Sequence, residues 1–212
     1  MRIRLRSLLV AATTFLLLGG LASPKGWAQD IDTSETSLVP PSPPSDTSVD
    51  GDVPFVRTPQ RIVNRMLSLA NVSEDDVVYD LGSGDGRLPI TAAQKYGARG
   101  VGIEIKPDLV QRARERAKFA NVDEKVEFRQ GDLFEADISN ATVVTLYLLP
   151  DVNTRLRPKL LEELEPGTRV VSHGFDMDDW EADKVVELET TYLYLWTIPE
   201  TIPPHLRKPD DK

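Results

Sequence analysis

Val77-Val78-Tyr79-Asp80-Leu81-Gly82-Ser83-Gly84-Asp85-Gly86 decides how this chain of 212 residues is read. A short apolar run rich in β-branched residues reads as a buried strand. It reaches an acid, Asp80, and three glycines then stand at every second position. Glycine adopts positive φ and lets a ligand approach the backbone closely. The residues from Arg87 to Tyr96 can continue as a helix. Strand, glycine turn and helix start form a common nucleotide-binding arrangement. The spacing departs from the dinucleotide fingerprint, because position 87 is arginine, and no Gly-Lys-Ser/Thr follows to make a P-loop. A tight turn with no ligand is the plain alternative.

Composition narrows the chemistry. The chain has no cysteine, which excludes disulfides, thiolate zinc sites and cysteine nucleophiles. Its two histidines, His173 and His205, argue against a multi-histidine centre, so no metal is expected. The net charge is −9; taking away the four positive charges of residues 1–28 (Arg2, Arg4, Arg6, Lys25, with no acid) leaves −13 on the rest. A body that acidic is a poor binder of polyanions, so nucleic acid is not an expected partner.

Residues 1–28 read as a signal peptide or membrane anchor. Arg2, Arg4 and Arg6 form a positive leading region, and Leu8 to Leu18 is apolar but short for a membrane span. Gly26 and Ala28 would permit cleavage before Gln29; an uncleaved anchor and a misassigned start are the rivals. The expected location is exported, periplasmic or membrane-anchored, with any membrane association made through the N-terminus. Residues 29–53, rich in Ser, Thr, Pro and Asp and containing Pro40-Pro41-Ser42-Pro43-Pro44, read as a flexible linker. The folded domain is expected over residues 54–199, with a polar tail over 200–212.

Within the domain, Thr58 is expected to cap a helix with Pro59 at its first position. Ile62, Val63, Met66, Leu67 and Leu69 give that helix an apolar face, and Arg57, Arg61 and Arg65 a solvated one. A second strand is expected over Gly100–Ile105, carrying Glu104 at its end. A helix starts at Pro107, and a third strand, Val126–Gln130, precedes Asp132. Ala141 to Pro150 forms a fourth strand and its exit. A helix over Asn153–Leu164 follows, with Pro158 placed to break or kink it. The fifth strand, Thr168–His173, brings His173 and Asp176 either toward a pocket or into structural roles. Val185–Glu189 and Tyr192–Ile198 pair as a hairpin, and the alternating aromatic and aliphatic residues of its second strand suit burial on both faces.

The Asp80-x-Gly82-x-Gly84-x-Gly86 pattern resembles motif I of class I S-adenosylmethionine-dependent methyltransferases. Residues 54–198 as a whole resemble the small lysine methyltransferases of archaea and of mitochondria, the FAM173-like group. The stretches that carry this are Pro54-Phe55-Val56-Arg57-Thr58-Pro59, Tyr79 to Arg87, Ala141 to Pro150 and Arg169-Val170-Val171-Ser172-His173. The resemblance implies an α/β fold: a Rossmann-like, seven-stranded class I sheet in the order 3-2-1-4-5-7-6, with helices on both faces and only the last-placed strand antiparallel. It implies S-adenosylmethionine as cofactor and a protein lysine as acceptor.

By matching motif, Asp80, Gly82, Ser83, Gly84, Gly86, Glu104, Asp132 and Leu133 are expected to bind the cofactor. Glu104 would take both ribose hydroxyls and Asp132 the adenine amino group. Tyr147 and Thr58 are expected to orient the acceptor amine as catalytic residues, in a pocket formed with Phe55, Leu148 and Pro150. Arg57 departs from the group, which often has proline there. Tyr147-Leu148-Leu149-Pro150 departs from the Asp/Asn-Pro-Pro-Tyr/Phe of many amino-group methyltransferases, which weakens a DNA-adenine reading. A small-molecule acceptor, or cofactor binding without turnover, is the alternative. An exported location is in tension with a cofactor made in the cytoplasm.

Overall fold

Strand β1 (Val77–Leu81) is buried along nearly its whole length because parallel strands flank it on both sides. The computed structural model describes residues 55–207. The expected signal or anchor (1–28), the linker (29–53) and the end of the tail lie outside the described residues. In chain order the elements are α1 Gln60–Leu69, β1, α2 Arg87–Tyr96, β2 Arg99–Glu104, α3 Pro107–Phe119, β3 Val126–Gln130, β4 Val143–Leu146, α4 Pro150–Glu163, β5 Arg169–His173, β6 Lys184–Leu188 and β7 Thr191–Thr197.

The seven strands form one sheet in the order β3-β2-β1-β4-β5-β7-β6, as expected. Strands β3, β2, β1, β4 and β5 pair in parallel, whereas β7 is antiparallel to both β5 and β6. The reversed strand is thus last in sequence but one place in from the edge. From β1 the chain builds outward to β2 and β3, then returns to lay β4 and β5 on the other side. In such sheets the crevice beyond the carboxyl ends of the strands at that reversal is where ligands bind.

Side-chain alternation assigns the two faces. Tyr79 and Leu81 join Leu146, Leu156, Leu160 and Trp196 in the layer under α4. Val78 points the other way, to Ile62, Val63, Met66 and Leu67 of α1. Helices therefore cover both faces. Along β7, Leu193 and Leu195 meet the α1 layer while Tyr194 and Trp196 meet the α4 layer. Burial on both faces holds for the middle of β7 only, since Tyr192 at its start is exposed.

Two helix starts differ from expectation. Pro59 is extended (φ −56, ψ 143) and is itself the residue before α1, so Thr58 makes no capping bond. The Pro59 carbonyl instead accepts from the amides of Ile62 and Val63. Helix α4 begins at Pro150, three residues before Asn153, because proline has no amide to lose at the first helical position. It continues through Pro158, forgoing one internal hydrogen bond there.

The opposite, amino-terminal ends of the central strands are tied together by Asp76. Its carboxylate accepts from the Ser73 amide at 2.8 Å, the Thr142 hydroxyl at 2.6 Å and the Arg169 guanidinium. Burial pushes this carboxyl up, but the bonds from Thr142, Ser73 and Arg169 outweigh it and hold it below the ordinary range. No described helix is long and apolar enough to cross a membrane.

Candidate functional site

The turn between β1 and α2 holds three positions that only glycine fills without strain. Gly82, Gly84 and Gly86 have φ of 77°, 53° and 75°, a region that costs other residues strain. Space is also lacking. A methyl group on Gly84 would lie 2.3 Å from the Phe55 ring, and one on Gly82 would lie 3.0 Å from Leu148. The amides of Gly82 and Ser83 both donate to the Ile103 carbonyl at 2.9 Å, which moors the turn to β2.

Glu104, at the tip of β2, braces the same turn. One carboxylate oxygen accepts from the Gly84 amide at 2.8 Å and the other from the Lys106 amide at 3.0 Å. Each oxygen has capacity for a further donor. Asp80, at the tip of β1, is buried and accepts from the Thr145 hydroxyl at 2.7 Å. Burial pushes its carboxyl up to about 7; Thr145 pulls it down, and the charges of Glu104 and Asp85 push it up again. A carboxyl held near neutrality beside a cleft is prepared to meet a cation.

These groups face a cleft of about 270 Å³. Asp80, Gly82, Ser83 and Gly84 supply its floor; Glu104, Asp132 and Leu133 one wall; Tyr147 and Leu148 another; and Phe55 and Thr58 the segment that crosses it. Two expected site residues lie outside. Gly86 precedes α2, and its missing side chain makes room for Phe128 and Ala113 rather than for a ligand. Pro150 is exposed as the first residue of α4, so it is removed from the expected acceptor pocket.

Asp132 is exposed on the cleft wall, with Oδ1 accepting from the Phe134 amide at 2.9 Å. Thr58 is buried, and its carbonyl accepts from Arg87 Nη1 at 2.6 Å. The Tyr147 ring lies 4.0 Å from that of His173, tilted by 32°. His173 thus backs Tyr147. Burial pushes its imidazole down to about 4, so it is neutral near pH 7, and its buried Nδ1 has no hydrogen-bond partner among the described residues. Asp176 is exposed, and its carbonyl accepts from the buried Asn153 amide at 3.1 Å.

Sequence reasoning missed Asp85. Its carboxylate takes two bonds from Arg87, at 2.8 and 2.6 Å, one contact from Arg116 at 2.6 Å and a longer one from Arg57 at 3.7 Å. Burial pushes this carboxyl up, but the bonds from Arg87 and the charges of Arg116, Arg87 and Arg57 hold it below the ordinary range. The Asp85-x-Arg87 spacing was a usable signal. Arg116 offered none.

Comparison with known proteins identifies the chemistry. Residues 80–184 match the ANTKMT methyltransferase domain. A protein-lysine N-methyltransferase of Saccharolobus islandicus is 47% identical over 150 residues, spanning 68% of this chain and 93% of that protein.

The chain belongs to this methyltransferase family.

An adenine nucleotide translocase lysine N-methyltransferase of Mus musculus is 35% identical over 147 residues, covering 69% of this chain and 63% of that longer protein. A crystal structure described as an RNA methyltransferase from Salinibacter ruber, in complex with S-adenosyl-L-homocysteine, is 65% identical with a TM-score of 0.71. It covers 72% of this chain and all of that one. The methyltransferase uses S-adenosylmethionine, and the cleft fits it. Carboxylates at the tips of β1 and β2 and after β3 suit its ammonium, its ribose diol and its adenine amine.

Proposed function

We propose that the protein methylates the ε-amine of a lysine in a protein substrate. The observation that carries this reading is the 47% identity extending over 93% of the archaeal protein-lysine N-methyltransferase. In this reading Asp80 receives the ammonium of the cofactor, Glu104 the ribose hydroxyls and Asp132 the adenine amine. Gly82, Ser83 and Gly84 shape the floor beneath its methionine portion, and Leu133 packs on its base.

When bound, S-adenosylmethionine supplies an electrophilic methyl group on a sulfonium; a nitrogen–carbon bond forms as the carbon–sulfur bond breaks. The residues of the chain have to deliver a neutral amine. With an ordinary pKa of about 10.4, deprotonating lysine at pH 7 costs about 4–5 kcal/mol. Phe55, Leu148 and the ring of Tyr147 lower that cost by excluding water from the ammonium. The neutral imidazole behind Tyr147 adds no opposing charge. Thr58 and the Tyr147 hydroxyl orient the amine, and the proton leaves to water.

RNA is the rival acceptor, favoured by the description of the Salinibacter ruber structure. Against it stands the acidic chain, with net charge −9 and no balancing excess of lysine and arginine. Incubation of the protein with methyl-labelled S-adenosylmethionine and a cell extract separates the two. Label retained in protein after nuclease treatment, and located on lysine by mass spectrometry, supports the proposal. Label in RNA or only in small molecules overturns it. Residues 1–28 are proposed as an export signal or membrane anchor, on the basis of Arg2, Arg4 and Arg6 ahead of an apolar run; a protein found wholly in the soluble cytoplasm with Met1 retained would contradict this.

A further inference from the structure

The arginine cluster on Asp85 lies outside the roles assigned so far. Three guanidiniums converge on one carboxylate, and they are not equally committed. Arg87 gives Nε and Nη2 to Asp85 and Nη1 to the Thr58 carbonyl, and is mostly buried. Arg116 divides Nη1 between the carboxylate and the backbone carbonyl of Asp85. Arg57 is different. Its side chain is 53% exposed, its Nε stands 3.7 Å from Asp85, and it lines the cleft. Three guanidiniums gather on Asp85 at this end of the cleft, where Asp80 is the other acid. The other end carries Glu104 and Asp132.

The cofactor has a matching polarity. Its adenosine end offers hydrogen-bond donors, the ribose hydroxyls and the adenine amine. Its amino-acid end carries a carboxylate, which Asp80 and Asp85 would repel unless a cation stood between. Arg57 follows Phe55, whose ring covers Gly84, and precedes Thr58, whose carbonyl Arg87 holds at 2.6 Å. The segment is thereby fixed across the glycine turn, with one guanidinium in reach of the cleft and incompletely paired.

We propose that Arg57 binds the α-carboxylate of the cofactor and makes this enzyme discriminate for the intact amino-acid portion. The inference rests on Asp80 and the glycine turn receiving the methionine end of the cofactor. Arginine suits the role because its planar fork matches a carboxylate and keeps its charge at every working pH.

The test is calorimetry on the full chain with two ligands, S-adenosylmethionine and its decarboxylated analogue, against wild type, Arg57→Gln and Arg57→Lys. The wild type should prefer the intact cofactor. Arg57→Gln should weaken it about tenfold while leaving the analogue unchanged, and Arg57→Lys should recover part of the loss. Equal weakening of both ligands would overturn the inference, because Arg57 would then only latch its segment to Asp85. So would no weakening of either. If the wild type binds neither ligand, the cofactor reading itself falls, and the two failures are told apart.

Discussion

Replacing Asp80 with asparagine should make the unliganded protein more stable while depriving it of its cofactor. The Asp80 carboxyl, ordinarily at 3.8, is pushed up to about 7 by burial in the fold. Between those two values the folded protein binds the proton and the unfolded chain does not. Stability therefore falls as pH rises from about 4 to about 7, and above that the buried charge carries its full penalty. At about 1.36 kcal/mol for each pH unit, that penalty is about 4 kcal/mol. Asparagine keeps the shape and can still accept the Thr145 hydroxyl, which donates to Asp80 at 2.7 Å. It has no charge to desolvate. Allowing for relaxation, Asp80→Asn should gain about 2–4 kcal/mol at pH 8, a rise in Tm of about 5–15 °C, and less than half of that at pH 5. Thermal melts at both pH values, with and without S-adenosylmethionine, read this directly. The cofactor should raise the Tm of the wild type and leave that of the variant in place. A variant destabilised at pH 8, a difference independent of pH, or undiminished cofactor affinity would refute the reasoning.

Glu104→Gln should weaken S-adenosylmethionine by about 1.5–3 kcal/mol, roughly 10- to 150-fold by calorimetry; unchanged affinity would confine Glu104 to bracing the Gly84 amide. Gly84→Ala should push the Phe55 ring aside, since the added methyl would lie 2.3 Å from it; cofactor affinity should fall and tryptic cleavage after the exposed Arg57 should quicken, whereas an unaltered digestion rate would show that the segment tolerates the methyl. Arg169→Met, at the amino-terminal end of the central strands, leaves the buried Asp76 without its cation and should cost about 2–4 kcal/mol in urea denaturation with cofactor affinity intact. Loss of cofactor binding in that folded variant would mean that the two ends of the sheet are coupled.

Much of this architecture was legible in local pattern. Val77 to Gly86 announced the central strand and turn by an apolar run and spaced glycines, and Val126–Gln130 was placed to the residue. The tips of three strands carried acids that do line one cleft. Pro150 was misread because a proline after an apolar run signals a strand exit as readily as a first helical position. Thr58 looked like a cap because nothing in its neighbours reveals that Pro59 stays extended. The Asp85 cluster was out of reach, since Arg116 lies 31 residues away in sequence and arrives only when α3 packs against α2 and β3. The tilted packing of Tyr147 against His173 likewise follows from β4 lying beside β5, a tertiary fact with no local signature.

The central claim is that carboxylates at neighbouring strand tips gather one cofactor over the glycine turn. A crystal structure of this protein grown with S-adenosyl-L-homocysteine tests it most directly. The account predicts both ribose hydroxyls within about 3.2 Å of the Glu104 carboxylate, with the amino-acid end lying over Gly82 to Gly84 beside Asp80. A ligand seated elsewhere, or Glu104 turned away from the ribose, would contradict it.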